Sequence, residues 1–288
     1  MTNGAERSKR GQLLDDGFCV VENVLTPAEV AGVREVTDRL IAAMSAEDAK
    51  RERSTGSMIP VVKDHRLARL IAHPRARATL EAMGLEDTRF QSGYIISKPP
   101  KSPRLFWHFD WGFWNHALSF EKVPVQLFLM YYLTDTSRAN GCLRVIPGSH
   151  LNENPLHRLM AKAHTSSLKE AVNLNSVEFQ LRPDEVDVCV RAGDLVIGDS
   201  RILHAAHSNE SGDRRTVITL WYHPHFNALP EALRAGFVMR RDPLPADWPA
   251  EARQLYESVT IRYDGTATRW PFSRDWVTQK EFSARTQR

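Results

Sequence analysis

From Phe90 onward the chain breaks into short β-rich runs: Ser92 to Ser97, Leu105 to Asp110, Val125 to Thr134, Cys142 to Ile146, Val186 to Val190, Leu195 to Ile197 and Arg215 to Tyr222. Turn residues separate them, notably Pro99-Pro100, Asn140-Gly141, Pro147-Gly148, Gly193-Asp194 and Gly212-Asp213. Many short strands that follow helices predict a mainly β fold with flanking helices, built on a double-stranded β-helix or jelly-roll barrel. A hollow barrel provides an interior site.

The first ninety residues read differently. Gly17-Phe18-Cys19-Val20-Val21 is an apolar strand-like run, and Thr26-Pro27-Ala28-Glu29 combines an N-cap threonine, a first-position proline and a third-position glutamate, so a helix starts there. Val30, Val33, Leu40, Ile41 and Met44 continue it as a stripe that should pack on a sheet. Glu47 to Gly56 is dense in charge and reads as a mobile loop, whereas Asp64 to Met83 looks helical again. After Pro224 a helix is expected from Leu229 to Phe237, followed by an irregular stretch carrying Trp248, Trp270 and Trp276. The expected organisation is a flexible tail over 1–12, a cupin-like barrel domain over 13–225 and an extension over 226–288 packed on it.

With 42% hydrophobic and 25% charged residues in 288, the chain can bury a full core and fold by itself. Lys and Arg outnumber Asp and Glu only 38 to 35, a surplus spread along the chain, so nucleic acid is not an expected partner. Three separated cysteines, Cys19, Cys142 and Cys189, argue against a disulfide framework and for small buried apolar roles in a reducing compartment. Met1 to Arg10 lacks an apolar signal-like core and no later run approaches a membrane span, so the expectation is a soluble cytoplasmic protein. Its oligomeric state is not legible in the sequence.

Within the strand run Phe106-Trp107-His108-Phe109-Asp110-Trp111, His108 and Asp110 stand two apart and leave one face, so an imidazole and a carboxylate can meet one ion. This is two thirds of the 2-His-1-carboxylate set that leaves open positions on Fe(II). The third ligand would come from a later strand facing the pair across the barrel, and either His204 or His207 could serve. His204 follows the apolar Ile202-Leu203 and His207 falls among polar residues, a pattern that favours His204. Arg214-Arg215 then opens a strand, and one of the two guanidiniums would enter the barrel, where it could grip the far carboxylate of an iron-bound dicarboxylate.

These pieces together resemble the phytanoyl-CoA dioxygenase (PhyH-like) family of Fe(II)/2-oxoglutarate-dependent oxygenases. The matching segments are Gly17 to Val21, Ser97-Lys98-Pro99-Pro100, His108-Phe109-Asp110, Asn140 to His150 and His204 to Arg215, in family order across about residues 13 to 223. In that family the distal histidine is followed five residues later by asparagine and eleven later by the 2-oxoglutarate arginine, which implies His204, Asn209 and Arg215 rather than His207 and Arg214. Gln91, seventeen residues before His108, matches a glutamine that helps hold the co-substrate in relatives resembling ectoine hydroxylase. Ala206 replaces a common serine, a hydrogen bond that Thr219 could supply instead. The resemblance implies Fe(II) on His108, Asp110 and His204, with 2-oxoglutarate and O2 as co-substrates. It further implies release of succinate and CO2 and oxidation of an unactivated C–H bond. Halogenating relatives replace the carboxylate ligand; Asp110 is present, so hydroxylation is expected, with desaturation, epimerisation or ring formation as alternatives on the same centre. A non-catalytic cupin-like binding protein is the alternative of another class.

Phe109, Trp111 and Trp114 are the expected pocket residues beside the metal pair, although an aromatic cluster on a strand commonly serves as core. Lys98 and Arg104 could attract an anion or simply be solvated at a strand edge. His116 and His150 read as structural, His150 anchoring a loop by hydrogen bonding. The expected partner is a small organic metabolite of specialised metabolism rather than a CoA thioester.

Overall fold

A computed structural model describes residues 7–160 and 163–286. Ten strands form two antiparallel sheets. They are β1 (Phe18–Val21), β2 (Ile59–Pro60), β3 (Arg89–Lys98), β4 (Leu105–His108), β5 (Leu127–Tyr132), β6 (Leu143–Val145), β7 (Val186–Val188), β8 (Leu195–Asp199), β9 (His204–Ala206) and β10 (Arg215–His223). The larger sheet runs β1-β8-β5-β10-β3-β2 and the smaller β4-β9-β6-β7. The two make a double-stranded β-helix, the jelly-roll core that the spacing of short runs predicts.

Strand alternation sorts the core. On β5 every side chain is buried, because Leu127, Leu129 and Tyr131 point out to the helical layer while Phe128, Met130 and Tyr132 point into the barrel. The outer face packs on the helix Pro27–Ala42 through Val30, Val36 and Ile41. That helix begins with the capping box its sequence predicts: Thr26 Oγ1 accepts from the Glu29 amide at 3.2 Å, and Glu29 Oε2 accepts from the Thr26 amide at 2.8 Å. Inside, Phe128, Val196 and Val217 meet Leu143, Val145 and Val188 of the smaller sheet.

Several expectations about order are corrected. A helix, Lys9–Asp16, capped by Ser8 and anchored by the buried Leu13, begins within the stretch read as a tail; residues 1–6 lie outside the described residues. The stretch Glu47 to Gly56, read as a mobile loop, instead begins inside the helix Ala46–Arg51 and continues as an anchored turn. Glu52 is buried between Arg51 (3.5 Å) and Lys169 (3.6 Å), and the Ser54 amide donates to the Lys169 carbonyl. The helical stretch Asp64 to Met83 is interrupted at His73 because Pro74 restarts the helix as Pro74–Ala82. His150 joins its turn to the first helix, its Nε2 lying 3.2 Å from the Leu14 carbonyl.

After β10 come helices Glu231–Val238, Ala250–Val259 and Gln279–Thr286. Trp248 Nε1 donates to the Val62 carbonyl at 3.0 Å, and Trp276 joins the aromatic cluster of Trp111, Trp114 and Phe237. Among the described residues no helix is long and apolar enough to cross a membrane.

One glycine links this packing to the site. Gly198 pairs with Phe128 across β8 and β5, and a Cβ there would lie 2.0 Å from Phe128 Cζ. The ring therefore lies flat over bare backbone, with its other neighbour the His204 imidazole, 5.0 Å away between centroids. Gly198→Ala should push the ring toward His204 and cost about 1–3 kcal/mol. Thermal unfolding should show a fall of roughly 2–4 °C per kcal/mol; an unchanged melting temperature would contradict this packing.

Candidate metal and co-substrate site

His108 and His204 are directly paired residues of neighbouring strands β4 and β9, their ring centroids 4.1 Å apart. The later histidine thus reaches the first from the adjacent strand of the smaller sheet; the expectation that it faces His108 across the barrel is corrected. Asp110 lies just beyond the end of β4, where the amides of Asp110 and Trp111 both donate to the Ser200 carbonyl at 2.8 Å. That anchor turns its carboxylate back over the pair: Oδ1 is 3.7 Å from His108 Nε2 and Oδ2 is 3.8 Å from His204 Nε2. One ligand atom from each residue falls within 4.8 Å of the other two.

Local hydrogen bonds prepare all three groups. His108 Nδ1 is 3.0 Å from the Phe106 carbonyl and His204 Nδ1 is 3.1 Å from the Ile202 carbonyl, so each Nδ1 carries the proton and each Nε2 turns a lone pair to the common centre. Burial, reinforced by His204 nearby, pushes His108 down to about 3, which keeps it neutral. Trp221 Nε1 donates to Asp110 Oδ2 at 2.8 Å and fixes the carboxylate. Two imidazole nitrogens and one carboxylate oxygen arranged in this way suit a divalent transition ion with open positions.

The triad opens on a cavity of about 360 Å3. On β10 the alternating Arg215, Val217, Thr219 and Trp221 line it. Among the described residues, buried Arg215 has no partner for its Nε and buried Thr219 Oγ1 has no hydrogen-bond partner. A buried guanidinium without a counter-ion is costly, so this end of the cavity is built for an anion. Arg214 points elsewhere, donating to the Ser97 carbonyl at 3.1 Å.

Gln91 also lines the cavity, by a route alternation alone would forbid. Trp221 pairs with Ser92 and Tyr222 with Phe90, so Gln91 is the extra residue of a bulge that turns it inward. Its amide is heavily engaged: Oε1 lies 2.8 Å from His223 Nε2 and 3.0 Å from Gln126 Nε2, and its own Nε2 donates to the Phe237 carbonyl at 3.2 Å.

The structure does not bring Phe109, Trp111 and Trp114 to this cavity. The rule that puts His108 and Asp110 on one face puts Phe109 and Trp111 on the other, in the aromatic core, where Trp111 Nε1 donates to Ser119 Oγ at 2.8 Å. Trp114 packs there against Phe109 and Trp276. The phenylalanines that line the cavity are instead Phe106, Phe113, Phe237 and Phe272, beside Tyr94, Tyr132 and Trp221. Lys98 is neither solvated nor in the cavity lining; it is buried and its Nζ donates to the Ser54 carbonyl at 2.7 Å and to that of Pro103. Arg104 is half-buried outside the lining. His207 stands apart from the triad, its Nε2 2.6 Å from Asp187 Oδ1, in a separate group with Cys142. Cys19 and Cys142 are buried as expected, although Cys142 has a base nearby, and only Cys189, which is exposed, departs from the reading of all three cysteines as small buried apolar groups.

Other lining residues escaped sequence reasoning. Trp221 could have been found, since it continues the two-residue step from Arg215 and Thr219. His164, its ring 5.0 Å from that of His108 and its Nε2 buried without a partner, comes from an irregular loop at φ 71° and carries no pattern. Phe272 and Arg274 come from an equally irregular stretch.

Buried neutral histidines set an acid limit on stability. His108 and His223 are both pushed down by burial to about 3, whereas unfolded histidine titrates near 6.5. The unfolded chain therefore takes up the protons first, so their contribution is complete above about pH 6.5 and is lost as pH falls toward 3. The melting temperature of the metal-free protein should decline over that window, with a shallower slope in His223→Gln; a rise on acidification would contradict the assignment.

Comparison with known proteins gives three consistent findings. The family model described as phytanoyl-CoA dioxygenase (PhyH) matches residues 13–217. An ectoine dioxygenase of Nocardia farcinica is 27% identical over 249 residues, covering 80% of this chain and 83% of that protein. A probable alpha-ketoglutarate-dependent hypophosphite dioxygenase of Stutzerimonas stutzeri is 24% identical over 225 residues, covering 73% and 76%. Among solved structures, HygX from Streptomyces hygroscopicus with nickel and 2-oxoglutarate bound superposes with a TM-score of 0.56 at 22% identity, covering 74% of this chain and 85% of that one. The alpha-ketoglutarate-dependent epimerase SnoN from nogalamycin biosynthesis gives 0.54 at 22%, covering 75% and 82%. These two share the fold.

Proposed function

The chain belongs to the phytanoyl-CoA dioxygenase family, and from that premise we propose that it is an Fe(II)- and 2-oxoglutarate-dependent dioxygenase that hydroxylates an unactivated C–H bond of a small organic metabolite. The observation that carries the reading is the meeting, in one cavity, of the His108, Asp110 and His204 ligand atoms with the unpartnered Arg215 Nε and Thr219 Oγ1. Each half fits what the other needs: a facial ligand set at one end and an anion site at the other.

His108 and His204 would hold the iron through Nε2 and Asp110 through its carboxylate. When bound, the iron and 2-oxoglutarate supply the oxidation, one atom of O2 going to succinate as CO2 leaves and the other to the substrate as a hydroxyl group. The chain's own groups do the rest. The Phe106 and Ile202 carbonyls keep both imidazoles in the tautomer that offers Nε2. Trp221 holds one Asp110 oxygen by a hydrogen bond from an indole that cannot titrate, and so limits carboxylate rotation. Arg215 would hold the distal carboxylate of 2-oxoglutarate with its planar fork, beside a Thr219 hydroxyl free to donate. Phe106 and Phe113 contribute apolar wall to the cavity that holds the ligand groups. The intact Asp110 speaks against halogenation, and SnoN, an epimerase of the same fold, makes epimerisation the second reading on the same centre.

Asp110→Ala should abolish Fe(II)-dependent release of succinate from 2-oxoglutarate. Arg215→Ala removes a charge-assisted contact of about 1.5–3 kcal/mol and should raise the apparent KM for 2-oxoglutarate about ten- to a hundredfold, while Arg214→Ala leaves it unchanged. Full activity in Asp110→Ala, or the reverse ranking of the two arginines, would overturn the assignment. Binding of 2-oxoglutarate without succinate release, with or without added Fe(II), would instead favour a non-catalytic binding protein.

A further inference from the structure

The cavity holds two more cations than its proposed iron and 2-oxoglutarate chemistry uses. Arg240 and Arg274, both from the segment after β10, line it, and neither forms an ion pair with any described residue. Both guanidiniums lie over the Phe272 ring, at 3.9 Å and 5.4 Å from its centroid. Arg274 is half-buried and its Nε is buried with no hydrogen-bond partner.

We propose that the substrate is a small organic anion, a carboxylate or phosphonate with an apolar body, whose charged group is held by Arg274 and Arg240 while its body lies against Phe113 and Phe237. The proposal rests on reading this cavity as the oxygenase site.

Charge matching supports it. The cavity's carboxylates are Asp110 and Glu52, and Glu52 is already matched by Arg51 and Lys169. Two positive charges on a ferrous ion and one on Arg215 are met by Asp110 and the dianionic co-substrate. That leaves the two guanidiniums over Phe272 without an ion pair, Arg274 attracted by Asp110 only at longer range, partly desolvated, at a site that must take a further molecule. Asp242, close in sequence to Arg240, makes no ion pair with it, and burial raises its carboxyl above the usual range. Burial lowers both guanidiniums from their ordinary value, the cost an anionic ligand would offset.

The backbone fixes where that charge sits. The Ser273 amide donates to the Gly112 carbonyl at 2.9 Å, Phe113 and Ser273 form a β-bridge, and a Cβ on Gly112 would lie 1.8 Å from Phe272 Cε2. Phe272 and Arg274 are therefore stitched to the chain two residues beyond Asp110. An anion held there would place its neighbouring carbon atoms toward the metal ligands, which makes the pair specificity-determining for this site.

The test uses the full-length protein, anaerobic, with Fe(II) and saturating 2-oxoglutarate, and a matched pair of probes, 3-phenylpropionate and its neutral amide, followed by calorimetry. The acid should bind at least tenfold more tightly than the amide, and added salt should narrow the gap. Arg274→Gln should remove most of that preference, Arg240→Gln part of it, and Arg274→Lys should restore some, with 2-oxoglutarate binding unchanged in all three. Equal binding of acid and amide, binding of neither, or a preference that survives in Arg240→Gln/Arg274→Gln would overturn the proposal, and the first two need no variant to fold. Loss of 2-oxoglutarate binding with the acid preference intact would count against the iron and co-substrate reading instead.

Discussion

Everything at this site depends on two imidazoles at directly paired positions of neighbouring strands, each with its Nδ1 committed to the carbonyl two residues before it. The rings lie buried side by side, 4.1 Å apart between centroids, and the carbonyls decide which nitrogen stays free. The pairing of β4 with β9 is thus a chemical constraint as well as a structural one. Asp110 completes it from outside the strand, on an anchor made by two amides sharing the Ser200 carbonyl and a carboxylate held by Trp221.

The jelly roll divides the remaining work between its sheets. The smaller sheet and the turn after β4 carry the three proposed ligand residues, while β10 of the larger sheet carries Arg215 and Thr219 of the proposed anion site and the indole that steadies Asp110. One strand, read every second residue, therefore reaches both the proposed co-substrate end and the proposed metal end of the cavity. Packing keeps the two sheets in register: Phe128 on the larger sheet fills the gap that Gly198 leaves and abuts His204 on the smaller.

How much of this was legible follows from which physical rules act locally. The two-residue step of a strand found His108 with Asp110, and the apolar pair before His204 favoured it over His207, whereas the choice of Arg215 over Arg214 came from the family resemblance and not from a local rule. The same step, applied consistently, excludes Phe109 and Trp111 from the cavity and adds Trp221. Gln91 enters through a bulge, which breaks alternation and becomes visible only once Trp221 and Tyr222 pair with Ser92 and Phe90. Helix caps such as Thr26 with Glu29 are short-range hydrogen bonds and were readable, whereas the helix at Lys9–Asp16 and the burial of Glu52 depend on distant partners. His164, Phe272 and Arg274 lie on irregular backbone, positioned by contacts from far along the chain, and no periodicity announces them.

The central claim is that His108, Asp110 and His204 jointly bind one ferrous ion to which 2-oxoglutarate chelates. Anaerobic titration of Fe(II) into the protein with 2-oxoglutarate, followed by the visible charge-transfer absorbance of a ferrous 2-oxoacid chelate, tests it directly. The account predicts saturation at one iron per chain in the native protein and in His207→Ala, and no band in His204→Ala. A band that persists in His204→Ala and vanishes in His207→Ala would contradict it.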